Sequence, residues 1–125
     1  DGARPLVSPD DIDRVVAAAR SDGCAMLAAP VTDTVKRGRE AHVMATLDRS
    51  NLHLAQTPQA FLFDLIRKAH EASTGGEATD DAVLMEQAGY KVRLVEPSRP
   101  NFKVTTPDDL VMVEALLRRE GYGDD

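Results

Sequence analysis

The residues of this sequence best suited to chemistry are widely spaced. Asp1, Arg49 and Lys103 carry charge, and Thr34, Thr57 and Thr79 carry hydroxyls. Asp1-Gly2-Ala3-Arg4-Pro5 is the densest group. It joins a carboxylate, two small residues that let backbone approach a ligand, a guanidinium and a φ-locking proline. Such a turn belongs inside an enzyme site, so the chain is expected to open in mid-fold. Asp1 is a candidate magnesium ligand, one carboxylate in an oxygen octahedron that substrate phosphates and water complete. The plain alternative is a solvated surface acid, and Gly2 and Arg4 weigh against it.

Lys103 is expected near the end of a short strand, on the face opposite Phe102 and Val104. From there an ammonium can reach a phosphate or sugar hydroxyl as a point charge. An edge lysine that discourages aggregation explains it equally well. Arg49, beside Asp48, can clamp a phosphate bidentately, or it can be half of a surface ion pair worth little. The threonines stand where loops meet elements, and each is explained locally as a cap or turn residue. As a converging set they would make a hydroxyl-lined phosphate site, supported by the helix dipole after Thr79. Spacing alone does not show convergence. His42, His53 and His70 lack the paired spacing of a zinc site, no Ser-His-Asp arrangement stands out, and Gly75-Gly76 is too short for a nucleotide loop.

The elements that must position these residues alternate helix and short apolar strand, an α/β pattern. Ser8-Pro9-Asp10-Asp11 starts a helix that runs to about Arg20, with Ile12, Val15, Val16 and Ala19 inward. Residues 24–31 read as a buried strand in which Cys24 is a small buried thiol rather than a reactive one. Residues 32–53 are polar and threonine-rich around Gly38-Arg39-Glu40-Ala41, which predicts a β-hairpin projecting as an arm and packing on another subunit. Residues 52–56 return to the body. Pro58 is expected to open a helix with Phe61, Leu65, Ile66 and Ala69 inward, and Thr79 to cap another after the Gly-rich loop 73–77. Residues 90–96 predict a strand with Val92 and Leu94 on one side, and residues 102–105 a further short one. Thr106-Pro107-Asp108-Asp109 repeats the start signal, with Leu110, Val113, Leu116 and Leu117 inward.

Composition bounds the partners. With 125 residues the chain can bury one core, and a net charge of −6 argues against nucleic-acid binding through a broad basic face. A local phosphate pocket needs only a few aimed cations and N–H groups. One cysteine excludes an internal disulfide, and the apolar runs fall far short of the ~20 residues that span a membrane.

The motifs Asp1-Gly-Ala-Arg-Pro5, Leu27-Ala-Ala-Pro-Val-Thr-Asp-Thr-Val-Lys-Arg37, Asp48-Arg49, Gln56-Thr-Pro-Gln-Ala-Phe61, Thr79-Asp-Asp-Ala82 and Phe102-Lys-Val-Thr-Thr-Pro-Asp-Asp-Leu110 follow one another along the chain. In that order they resemble the 2-C-methyl-D-erythritol 4-phosphate cytidylyltransferases. The resemblance implies part of a Rossmann-like nucleotidyltransferase sheet with flanking helices and a projecting β-arm. The implied reaction moves a cytidylyl group from CTP to methylerythritol phosphate in the non-mevalonate isoprenoid pathway, releasing pyrophosphate, with magnesium offsetting charge. Carried over by motif, Asp1 meets metal and substrate, and Gly2 lines the nucleotide. Arg49 and Lys103 position methylerythritol phosphate, and Thr34, Thr57 and Thr79 hydrogen-bond it.

The resemblance further implies a cytoplasmic homodimer, with plastid targeting left open, whose arm brings Thr34 and Arg49 to the partner's site. The family's Gly-rich CTP loop and its phosphorus-stabilising Arg and Lys have no counterpart here. The expectation is therefore the C-terminal half of one nucleotidyltransferase domain, inactive without the N-terminal half. Two alternatives remain: a pentitol-phosphate cytidylyltransferase of the ribitol 5-phosphate type, and a non-catalytic dimerisation or sugar-phosphate binding module.

Overall fold

The structure, a computed structural model, describes residues 2–121. Three strands make the main sheet in the order β4-β1-β5, with β1 (Cys24–Pro30) at the centre. Antiparallel β4 (His53–Phe61) and parallel β5 (Arg93–Val95) flank it. The central strand is buried on both faces, which is why its sequence is a near-continuous apolar run.

Helix α1 (Pro9–Asp22) covers one face of the sheet, where Val15 and Ala19 pack on Ala25, Leu27 and Val95. Helices α2 (Phe63–Ala72) and α3 (Asp81–Gln87) cover the other, where Ala69, Leu84 and Met85 close over Cys24. The period-2 alternation of β1 thus sends Cys24 and Ala25 into different clusters. Cys24 is fully buried and its thiol meets the Lys91 carbonyl at 3.4 Å, while burial pushes its pKa up, followed by the charge of Asp22. Gly23 ends α1 at φ 95, the left-handed conformation that favours glycine at the turn into β1.

The polar segment forms a separate two-stranded sheet, β2 (Val35–Arg39) paired with β3 (His42–Leu47). Glu40 and Ala41 make the two-residue turn at φ 51 and 63, the positive-φ geometry that matches strand twist. The last helix, α4 (Pro107–Arg119), opens with a full capping box: Thr106 accepts from the Asp109 N–H, and the Asp109 carboxylate accepts from the Thr106 N–H.

Several sequence expectations need correction. Pro58 does not open a helix. Residues 58–61 complete β4, where Phe61, Ala60 and Gln59 pair with Cys24, Ala25 and Met26, and α2 starts only at Phe63. The register slips between Met26 and Ala28, so residues 56–58 bulge opposite Leu27. The cap of α3 is Asp80, not Thr79, because the Asp80 carboxylate accepts from the Val83 N–H at 3.0 Å. Residues 102–105 join no strand ladder among the described residues; the Val104 N–H instead reaches the Ala3 carbonyl at 2.7 Å. Ile12, Leu94 and Leu110 are exposed rather than inward. On α1 the inner position falls to Asp11, buried because it serves a partner across the fold: its carboxylate accepts from the Ser98 N–H at 2.9 Å and from Arg14 at 2.8 Å.

Candidate functional site

Beyond the end of β1, the chain's first residues, the middle of β4 and the run before α4 meet around a cavity of about 360 Å³. Arg4, Gln56, Asn101, Phe102 and Lys103 line it. Three local joints build this convergence. Arg99 donates from Nε to the Leu6 carbonyl at 2.7 Å and pairs with Glu120 at 2.9 Å, tying the opening segment to the end of α4. The Arg4 guanidinium donates to the Asn101 carbonyl at 2.7 Å. The Asn101 side chain, almost wholly buried, donates in turn to Gln56 Oε1 at 3.2 Å and to the Thr57 carbonyl at 3.0 Å.

Arg4 and Lys103 make the cavity cationic, while the charge of Arg99, also on its wall, is matched by Glu120. Burial draws the Arg4 pKa down from its ordinary value. A guanidinium so placed suits an anion in fixed geometry, and the exposed Lys103 adds a mobile point charge. Together they favour an oxyanion such as a phosphate.

The sequence-predicted site residues divide into groups. Asp1 lies outside the described residues. Gly2 stands next to the Lys103 run, lining an apolar cavity with Pro5, Val104 and Leu117. Thr57 adjoins the cationic cavity through its carbonyl bond to Asn101. Thr79 borders a neighbouring cavity of about 290 Å³ between β4 and α3, and Ala55 is common to both walls. Gln59 fixes this second wall, donating to Asp80 at 3.1 Å and accepting from the Ala82 N–H at 3.3 Å.

Thr34 and Arg49 are not brought to either cavity. Thr34 is exposed at the root of the arm, and the Arg49 guanidinium donates to the Thr32 carbonyl. The adjacent Asp48 accepts from Ser50 Oγ and N–H, which hold its carboxyl below the ordinary range. Among the described residues no group of three His, Cys, Asp or Glu gathers to hold a metal, and no helix is long and apolar enough to cross a membrane.

Sequence reasoning missed Gln56 and Asn101 as parts of the site. Gln56 stands inside a quoted motif, and Asn101 sits two residues before Lys103. Neither carries a signal in the sequence, because the bond that joins them spans 45 positions.

The mixed α/β sheet with helices on both faces is shared with solved cytidylyltransferases, and that likeness makes the fold one of the nucleotidyltransferase type. A crystal structure of 2-C-methyl-D-erythritol 4-phosphate cytidylyltransferase from Thermus thermophilus superimposes with a TM-score of 0.84 at 42% identity, over 93% of this chain and 58% of that one. The family model for 2-C-methyl-D-erythritol 4-phosphate cytidylyltransferase matches residues 1–119, and the chain belongs to that family. Proteins so named from Pelotomaculum thermopropionicum and Bacillus velezensis are 51% and 50% identical to it, over 97% and 96% of this chain. Those alignments cover 52% and 53% of the two relatives, so the chain spans about half the length of the curated relatives it matches.

Proposed function

We propose that this chain is the polyol-phosphate-holding part of an enzyme that transfers a cytidylyl group from CTP to 2-C-methyl-D-erythritol 4-phosphate and releases pyrophosphate. The observation that carries the reading is the 2.7 Å bond from the Val104 N–H to the Ala3 carbonyl. It sets the opening motif beside the Lys103 run, as a shared phosphate site requires.

In this reading the phosphate of methylerythritol phosphate sits against Lys103, with Arg4 on the same wall. Thr57 and Thr79 offer hydrogen bonds from the β4 and α3 sides. Positioning the phosphate for in-line attack on the α-phosphorus of CTP is the main task, because such transfer asks the protein for orientation and charge stabilisation rather than covalent chemistry. Asp1 is the proposed magnesium ligand and Gly2 the residue lining the nucleotide. Magnesium, when bound, offsets charge on the reacting phosphates. The Gly-rich loop for the CTP phosphates is assigned to the part of the family's length outside this chain.

Thr34 and Arg49 enter through a homodimer. The arm is a lone two-stranded sheet, marginal by itself in water, and its exposed Val43 and Met44 suit packing on a second copy. Arg49 then serves the partner's cavity, which accounts for its absence from the cavity that Lys103 lines within one chain. A cytoplasmic setting belongs to the same reading, since the reaction draws on the CTP pool.

The test is pyrophosphate release by the full-length protein, with methylerythritol phosphate and ribitol 5-phosphate offered separately with CTP. Methylerythritol phosphate is expected to be turned over at least tenfold more efficiently. Preference for ribitol 5-phosphate would move the protein to the sister activity, and release with neither would remove the catalytic reading.

A further inference from the structure

Lys103 stands in a run that no strand ladder holds. Residues 102–105 are unpaired among the described strands, so ordinary sheet hydrogen bonds do not fix where the ammonium points. Two anchors replace the ladder. On one side of Lys103 the Val104 N–H bonds to the Ala3 carbonyl at 2.7 Å. On the other stands Asn101, only 4% exposed, which makes three hydrogen bonds: its carbonyl accepts from Arg4, and its Nδ2 donates to both Gln56 Oε1 and the Thr57 carbonyl. The Thr57 carbonyl can only accept, so it fixes the orientation of the amide.

We propose that Asn101 is a positioning residue for Lys103: a buried amide clip that substitutes for a strand ladder and sets the ammonium of Lys103 on the wall of the cationic cavity, beside Arg4. The proposal rests on the cytidylyltransferase reading above. A second observation favours a role beyond packing. The buried side-chain polar atoms without a partner among the described residues are Arg4 Nε and Asn101 Oδ1, both in this joint. Unpaired buried polar atoms are costly, and in native folds they call for a reason, of which a functional site is one. An apolar residue at position 101 would remove one of these orphans, yet it would release the Lys103 run from Thr57 and Gln56.

The test uses the full-length protein and steady-state kinetics with each substrate varied in turn. Asn101→Asp keeps the shape but replaces the donor with an acceptor facing the Thr57 carbonyl. The expected result is at least a tenfold fall in kcat/KM for methylerythritol phosphate, with KM for CTP within twofold of wild type. In a Lys103→Ala background the same substitution is expected to cost less than a further twofold, because a clip that acts through Lys103 has nothing left to position. Should Asn101→Asp fail to fold, Asn101→Ser, which keeps a shorter donor, carries the same comparison. Losses that multiply in the double variant, or equal losses for both substrates, would overturn the proposal while leaving the wild-type activity intact. A wild-type protein with no cytidylyl transfer would overturn the underlying reading, and the proposal with it.

Discussion

The backbone N–H of Val104 donates to the carbonyl of Ala3 at 2.7 Å, so residues from opposite ends of the chain are neighbours. The bond closes the gap between the opening segment and the Lys103 run, and Arg4 reinforces it through the Asn101 carbonyl. The site is therefore held by one backbone bond and by the side chains of Arg4, Arg99 and Asn101, whereas Lys103 stands outside these joints and its charge can be removed singly.

Lys103 is exposed, and its loss should spare the fold. Lys103→Ala in the full-length protein is expected to lower kcat/KM for methylerythritol phosphate on the order of 100-fold, the scale of one lost charge-stabilising donor. Lys103→Arg should recover part of that loss. Equal activity of Lys103→Ala and wild type would remove the lysine from the site.

The arm supports a mixed-dimer experiment. Arg49→Ala and Lys103→Ala homodimers should each be severely impaired. If Arg49 serves the partner's cavity, a mixed dimer holds one intact site and one doubly damaged site, and it should recover about half of wild-type activity per dimer. A mixed dimer as poor as its parents would place Arg49 on its own protomer's site.

Asp11 links stability to pH. Burial raises its pKa, but the Ser98 hydrogen bonds and the bond and charge of Arg14 outweigh that, and the carboxyl stays below its ordinary 3.8. A depressed folded-state pKa means the charged form stabilises the fold above about 3.8, and this contribution fades as pH falls through the lower folded value. Asp11→Asn should lower the melting temperature at pH 7 and converge with wild type in acid. Melting curves that stay parallel as the pH is taken well below 3.8 would contradict the sign.

The helix starts differ in strength. Thr106 takes part in a capping box, whereas Ser8 makes no side-chain cap bond. Thr106→Ala should cost about 1 kcal/mol, and Ser8→Ala only a few tenths, read as shifts in urea midpoint. Equal shifts would show that the box contributes nothing.

The same Ser/Thr-Pro signal explains what was legible in the sequence and what was not. Ser8-Pro9 and Thr106-Pro107 are each followed by two aspartates that suit a helix N-terminus, and both open helices. Thr57-Pro58 is followed by Gln59 and Ala60, and pairing with β1 claims it for a strand. The acids after the proline, not the proline itself, separated the cases. The polar hairpin at β2 and β3 was readable because its turn and its lack of core residues agree. Ile12, Leu94 and Leu110 misled because periodicity names an apolar stripe without saying what covers it; each is more than a third exposed in this chain. The roles of Asn101 and Gln56 lay beyond sequence reasoning, since a long-range amide bond leaves no periodic trace.

The decisive experiment is a crystal structure of the full-length protein with methylerythritol phosphate bound. The phosphate is expected within hydrogen-bond distance of Lys103 Nζ, in the cavity that Arg4 and Asn101 line, with Arg49 of a second copy reaching the same ligand. A phosphate seated elsewhere, with Lys103 turned to solvent, would refute the shared site.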